Sequence, residues 1–386
     1  MPYWRLSGFY LFYFASLGAL LPYWGLYLKS VGFTAQDIGL FMAVVMGTKI
    51  ISPNVWGWIA DHTGKRMRFV RWGCALGAVC FAGVFAGSHY WWLLLVMVSF
   101  SFFWNATLPQ FEATTFTFLG NHTHRYSSIR LWGSIGFIIT AAGLGHVLHQ
   151  LGINTLPLVL LILFVGIWGM SLLVPEQAAG HKSIQNRSLT SVMKQPRVLA
   201  LLAVCLLMQM SHGPYYTFYT IYLEESGYSP SLIGWLWALG VIAEVVAFLL
   251  MHRLVPRLGV KLLLWISLVL AALRWLLIGN FVDSLAVLVV AQILHAASFG
   301  IYHASAIQLI HQYFSGHHQG KGQALYSSLS FGLGGAIGSF YSGLIWESMG
   351  APTVFAIASI SVILGAVVSW IWLRPDMTHV KEEVAS

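Results

Sequence analysis

The chain has 386 residues and a formal net charge of +8, with only 8% Asp, Glu, Lys and Arg against 58% hydrophobic residues. A soluble domain carries about 25% charged residues, so this composition excludes an ordinary soluble enzyme and points to a membrane. The positive charge does not imply nucleic acid, because the basic residues sit in short loops between apolar runs rather than on one face or in a tail.

The apolar runs are each close to the length of about 20 residues needed to cross hydrocarbon. In chain order they predict helices near 4–28, 37–60, 69–87, 90–118, 127–149 and 155–175. The first run is broken by Pro22 and lacks a small-residue cleavage site, so it reads as a helix rather than a signal peptide. A polar segment follows from Glu176 to Gln195, and six more spans fit near 197–223, 230–251, 260–281, 284–313, 322–346 and 351–373. The expected fold is an all-α membrane protein of twelve transmembrane helices. Residues 1–175 form one six-helix bundle, 176–196 a cytoplasmic linker, 197–374 a second bundle and 375–386 a cytoplasmic tail.

With the amino terminus inside, 16 of the 20 lysines and arginines fall on the cytoplasmic side, among them Lys65, Arg66, Arg68, Arg71, Lys182, Arg187, Arg253 and Arg257. Positive loops stay in the cytoplasm, so both termini are expected there. The two halves also repeat. Tyr27-Leu-Lys-Ser-Val-Gly-Phe-Thr-Ala-Gln-Asp-Ile-Gly39 reads like Tyr222-Leu-Glu-Glu-Ser-Gly-Tyr-Ser-Pro-Ser-Leu-Ile-Gly234, at an offset of 195 residues. The same offset maps Gly64 onto Gly259 and Arg66 onto Lys261. Six helices followed by six in the same orientation are parallel repeats, an arrangement that encloses a midplane binding site in transporters.

After the second span comes Gly57-Trp-Ile-Ala-Asp61-His-Thr-Gly64-Lys65-Arg66. An aspartate there can cap a helix or pair with a cation, and Gly64 permits a tight turn. The segment resembles the loop motif of the major facilitator superfamily, which makes Gly57, Asp61, Gly64, Lys65 and Arg66 expected gating residues; His62 stands where that family usually has a permanent cation. Ionisable residues inside spans are costly and mark function. Here they are Lys49, Glu112, Arg130, Glu244 and Arg274, with His212, His295 and His303. Lys49 and Glu244 are related by the 195-residue offset and carry opposite charges. Static salt bridges between helices are the alternative reading.

The order of these groups resembles that of the proton-coupled lactose permeases. That resemblance makes Glu112 and Arg130 substrate contacts and Glu244, Arg274 and His295 proton-coupling residues. The permeases carry a further glutamate one turn after the histidine, where this chain has Ser298. The segments Leu21-Pro-Tyr-Trp24, Tyr126-Ser-Ser-Ile-Arg-Leu-Trp-Gly-Ser134, Leu239-Gly-Val-Ile-Ala-Glu244 and Gln292-Ile-Leu-His295 resemble the phenylpropionate permease branch of the superfamily, nearly end to end.

The interior charges support an organic acid independently: Lys49, Arg130 and Arg274 outweigh Glu112 and Glu244 by one positive charge when the histidines are neutral, and Arg holds a carboxylate bidentately. Tyr23, Trp24, Tyr27, Tyr215, Tyr216 and Tyr219 suit an aromatic ring, although many aromatics merely pack. Lys49, Tyr23, Trp24 and Tyr215 therefore join Glu112 and Arg130 as candidate substrate contacts. The expected function is import of a small aromatic carboxylate such as 3-phenylpropionate with protons, across a bacterial inner membrane. A sugar or nucleoside permease is the alternative, and a non-transporting sensor or membrane enzyme a reading of another class. Cys74, Cys80 and Cys205 lie in apolar runs without metal-ligand spacing, Gly334 and Gly338 form a helix-packing GxxxG, and no Walker loop is present. No enzyme activity, metal, cofactor, nucleic acid or obligatory protein partner is expected; the partners are the solute, protons and the lipid bilayer.

Overall fold

The computed structural model describes residues 2–122, 125–176, 192–314 and 318–373. Ten helices come first: α1 (Tyr3–Ser30), α2 (Ala35–Thr63), α3 (Arg66–Ala86), α4 (Tyr90–Leu119), α5 (Tyr126–Leu151), α6 (Ile153–Leu173), α7 (Pro196–Glu225), α8 (Pro230–Leu258), α9 (Val260–Asn280) and α10 (Leu285–Tyr313). A further helical run, Gln319–Leu373, is 55 residues long. At about 1.5 Å per residue it would overshoot a hydrocarbon core of about 30 Å more than twofold. It is broken at Gly350, whose backbone (φ 75°, ψ 164°) is not helical and which is followed two residues later by Pro352. The break divides it into α11 (319–349) and α12 (351–373), giving twelve helices of membrane-spanning length among the described residues, with ends within seven residues of the sequence expectation.

The chain falls into two compact units. The first comprises Met1–Ser183 with Leu223–Ala238, the second Ile184–Tyr222 with Leu239–Ser386. In the first unit α1 packs on α5 and α6, α3 on α4 and α6, and α2 on α4. Lys29, at the end of α1, pairs with Glu224 and Glu225 of the segment grouped in this unit, each at 3.0 Å. In the second unit α9 packs against α10 and the α11–α12 run. Large apolar side chains cover the outer surfaces, such as Val79 (69% exposed) and Leu249 (67%). That much exposed hydrocarbon suits lipid rather than water.

The repeat seen in the sequence is a repeat of backbone geometry. Gly32 and Gly227 turn the chain between the first and second helices of each half, and Gly64 and Gly259 between the second and third. All four have positive φ, from 68° to 101°, where a side chain would be strained. Close helix approach recurs as well. A Cβ on Gly136 would meet the Leu11 carbonyl oxygen, and one on Gly334 the Leu206 carbonyl oxygen; Leu11 and Leu206 are 195 residues apart. Gly213 of α7 lies against Gly338 of α11 backbone to backbone. The GxxxG of α11 is a helix-packing surface, as its small residues predict.

Candidate functional site

Each unit holds its own cluster of charged and aromatic groups. In the first, Glu112 of α4 accepts a hydrogen bond from the Tyr126 hydroxyl at 3.0 Å. Arg130, one helical turn after Tyr126 on α5, lays its guanidinium on the Phe14 ring, 3.6 Å from the centroid, with Tyr10 at 5.9 Å. No ion pair joins Arg130 to Glu112 among the described residues. The Lys49 ammonium lies 3.6 Å from the Met46 sulfur, a weak acceptor for a full charge. Its helix is pinned to α4 close by, where Asn105 donates to the Val45 carbonyl and the Thr48 hydroxyl, both at 2.9 Å.

Tyr23 and Trp24, expected at the substrate, are both fully buried in helix packing. The Tyr23 hydroxyl donates to the Ala141 carbonyl at 2.6 Å and sits where Gly145 and Gly234 leave room for it. Trp24 stacks on Tyr27 at 5.0 Å and leans on Phe81 of α3 at 5.6 Å.

The second cluster is denser. Arg274 of α9 is fully buried. Its Nε donates to the Ala291 carbonyl at 2.9 Å, one terminal nitrogen to Ser298 Oγ at 3.1 Å and the other to Gln292 Oε1 at 3.4 Å. All three acceptors are neutral. The guanidinium also lies 4.3 Å from the Tyr215 ring and 4.6 Å from that of Trp275, an attractive arrangement for a cation. The Tyr215 hydroxyl donates to the same Gln292 oxygen at 3.0 Å. His295 Nε2 lies 3.6 Å from Glu244 Oε2, and Gly300 leaves space for the Glu244 side chain. A π-helical segment, Ala296–Ile301, begins directly after His295; such insertions gather at functional sites. His295, Phe299 and His303 stack in parallel along it at 5.3 and 5.9 Å, and His303 Nδ1 lies 2.9 Å from the Tyr326 hydroxyl.

Three buried polar atoms in this cluster have no hydrogen-bond partner among the described residues: Gln292 Nε2, His212 Nε2 and His295 Nδ1. They belong to one neighbourhood. The His212 and His295 rings are 6.4 Å apart, Tyr215 is 6.0 Å from His295, and a Cβ on Gly240 would touch both Gln292 and His295. A buried polar atom left unpaired costs about 1–3 kcal/mol, so three together mark a place built to receive something polar. Sequence reasoning named Arg274, Glu244, His295 and Tyr215 but gave no role to Gln292. Its signal was available: it stands one turn before His295 in the segment that carries the resemblance.

The loop motif is partly described. Gly57 faces the Gln110 side chain, and Gly64 ends α2 with φ 68°. Lys65 and Arg66 begin α3. The side chain of Asp61 lies outside the described residues. The acid that caps α3 is Glu176, whose two oxygens accept from the backbone N–H of Met67 at 2.9 Å and Arg68 at 3.0 Å. Sequence analysis did not single it out.

Known proteins agree with this architecture. The model of the MFS_1 like family matches residues 3–357. The probable 3-phenylpropionic acid transporter of Escherichia coli (strain K12) is 31% identical, over 93% of this chain and 95% of the relative. The maltose permease of Geobacillus stearothermophilus is 23% identical over 97% and 95%. Among solved structures, the nucleoside transporter NupG superposes with a TM-score of 0.81 at 18% identity, covering 97% of this chain and all of the other.

Proposed function

We propose, for a chain that belongs to the MFS_1 like family and is a secondary transporter of the major facilitator fold, proton-coupled import of a small aromatic carboxylate resembling 3-phenylpropionate. The observation that carries the reading is the burial of Arg274 among neutral acceptors and aromatic faces. A buried cation without an anionic partner in contact is costly, and a substrate carboxylate relieves that cost while the aromatic rings accept a phenyl group. The name of the Escherichia coli relative supports the same solute.

In this reading Glu244, Arg274 and His295 couple the proton. Lys49, Glu112, Arg130 and Tyr215 contact substrate, with Tyr23 packing α1 on α5, the helix of Arg130, and Trp24 packing it on α3. The loop Gly57, Asp61, Gly64, Lys65 and Arg66 gates the conformational change. The transporter works in a bacterial inner membrane with both termini in the cytoplasm, so reporter fusions at Ser183 and after Ser386 should behave as cytoplasmic.

A neutral nucleoside or sugar is the second reading. It is favoured by the bare imidazole nitrogens of His212 and His295, which can accept from hydroxyl groups. Proteoliposomes holding the purified chain decide between them. With a pH gradient, neutral inside and acidic outside, radiolabelled 3-phenylpropionate should accumulate above its external concentration. Accumulation of uridine or maltose instead would replace the carboxylate reading, and no accumulation of any solute would end it.

A further inference from the structure

We propose that the second unit binds the substrate's carboxyl group together with its coupled proton, in one site formed by Arg274, Gln292 and His295. This rests on the reading of the substrate as a carboxylate. It adds to Arg274 a donor in Gln292, which has had no role, and a proton acceptor in His295, whereas the permease resemblance puts substrate recognition at Glu112 and Arg130.

The argument starts from which atoms can donate. A carbonyl or carboxylate oxygen only accepts. His212 Nδ1 lies 2.9 Å from the Met208 carbonyl, so in the neutral ring the proton is on Nδ1 and Nε2 is a bare acceptor. His295 turns Nε2 toward the Glu244 carboxylate at 3.6 Å, an orientation that favours the proton on Nε2 and leaves Nδ1, which has no partner among the described residues, as the acceptor. The Gln292 oxygen accepts from Tyr215 and Arg274, which fixes the amide orientation and leaves Nε2 as a donor. Three neutral acceptors do not exhaust the five N–H groups of Arg274. The site thus offers donors from Arg274 and Gln292 beside imidazole acceptors. A bare carboxylate has acceptors only and meets a histidine lone pair. A carboxyl group with its proton is complementary: one oxygen accepts from Arg274 and Gln292, and the other shares the proton with His295 Nδ1.

Charge leads to the same conclusion. Arg274 and Glu244 sum to zero with neutral histidines. A carboxylate alone would leave the buried cluster negative, and a proton alone would leave it positive. The two entering together keep it neutral, and the Glu244 carboxylate faces the imidazole that receives the proton. The other groups around His295 are His212 and Tyr215 of α7, Arg274 of α9, and His303 with Tyr326 beyond Phe299. None is a second carboxylate. No covalent bond of the substrate changes: the proton comes from solution, lies in the hydrogen bond, and leaves with the solute.

The test uses the full chain, purified in detergent, with 3-phenylpropionate added at pH 7.5 in weak buffer containing an indicator dye. The ligand is ionised in solution at that pH, so the wild-type protein should take up about one proton for each ligand bound. His295→Gln should weaken binding at least tenfold and abolish the uptake. Gln292→Glu keeps acceptors for Tyr215 and Arg274 but replaces the donor by an acceptor, and should also weaken binding at least tenfold. Wild-type protein that binds the acid without taking up a proton overturns the proposal by itself, whatever the variants do. His295→Gln that retains both affinity and uptake overturns it as well. Wild-type protein that binds uridine but not the acid overturns the carboxylate reading, and this proposal falls with it.

Discussion

The two charge clusters occupy related halves of the chain and are built on different chemistry. In the first unit, cations rest on soft surfaces: Arg130 on the Phe14 ring and Lys49 against the Met46 sulfur. Its Glu112 is held by a tyrosine hydroxyl. In the second unit, Arg274 is locked by three hydrogen bonds, and an acid faces an imidazole at 3.6 Å. The π-helical segments among the described residues, Ala296–Ile301, Ser328–Gly334 and Ser369–Leu373, all lie in this second unit. The scaffold repeats while the chemistry does not. The turn glycines and helix contacts recur at an offset near 195 residues, yet Lys49 stands where the second half has Glu244. A repeated frame is enough to fold two bundles, and the divergence of its interior leaves two cations on soft surfaces in one half and a hydrogen-bonded arginine near a histidine–carboxylate pair in the other.

The largest effect expected from this difference is on the arginines. Arg274→Gln removes charge-assisted hydrogen bonds worth about 1.5–3 kcal/mol each and should weaken 3-phenylpropionate binding on the order of a hundredfold or more. Arg130→Gln removes a cation held by an aromatic face, worth about 0.5–2 kcal/mol, and should cost on the order of tenfold. Equilibrium binding to both purified variants compares them. Equal losses would erase the distinction between the clusters.

Glu244→Gln separates coupling from binding. The amide keeps the size and hydrogen bonding of a protonated carboxyl but cannot serve as counter-charge to an imidazolium. Accumulation driven by a pH gradient in proteoliposomes should fall to the equilibrium ratio, while exchange of labelled for unlabelled solute persists. A variant that still concentrates solute would move the coupling to another group, with His303 next in line because it stacks along the same helix.

Much of this was legible in the sequence, because membrane spans and turn glycines are one-dimensional signals. Apolar runs give the twelve helices, Gly350 and Pro352 give the break in the last 55-residue run, and Gly334 with Gly338 gives the packing of α11. The interior charges were legible too, since each is an exception in an apolar run. Partners were not legible. Nothing in a linear reading says that Ser298, noted only as a departure from a relative's pattern, takes a hydrogen bond from Arg274. Nor does it say that the Tyr23 hydroxyl is committed to Ala141. The π-helical insertions are shifts of backbone hydrogen bonding and leave no residue signature.

The packing contrast gives a smaller effect. Gly143 and Gly338 are 195 residues apart. A Cβ on Gly143 meets nothing within 4 Å, whereas one on Gly338 would clash with the Met210 carbonyl oxygen. Gly338→Ala should destabilise by about 1–3 kcal/mol through overpacking. Gly143→Ala should be neutral or stabilise slightly, because alanine favours a helix by about 1 kcal/mol over glycine. Thermal unfolding of the two variants in one detergent compares them, and a Gly338→Ala protein as stable as Gly143→Ala would show that α7 and α11 are less closely packed than their backbones indicate.

The smallest effect concerns the helix that follows the loop motif. Glu176 caps the amino terminus of α3 with both carboxylate oxygens, and four cations, Lys65, Arg66, Arg68 and Arg71, lie in the first turns or just before them. Cations at that end oppose the helix dipole, and a carboxylate there offsets them. The related helix of the second half, α9, starts at Val260 behind Gly259, which has no side chain to cap it, and Ile371 stands 195 residues on from Glu176. It has a single cation in its first turn, Lys261, and so has less need of an acid. Glu176→Gln keeps one good acceptor and loses the charge, which should cost about 0.5–1 kcal/mol and lower the melting temperature by no more than about 2–4 °C. The loss should shrink as salt is raised, because a cap on an exposed helix end is screened. A drop of the same size at every salt concentration would mean that the two hydrogen bonds, and not the charge, hold α3 in place.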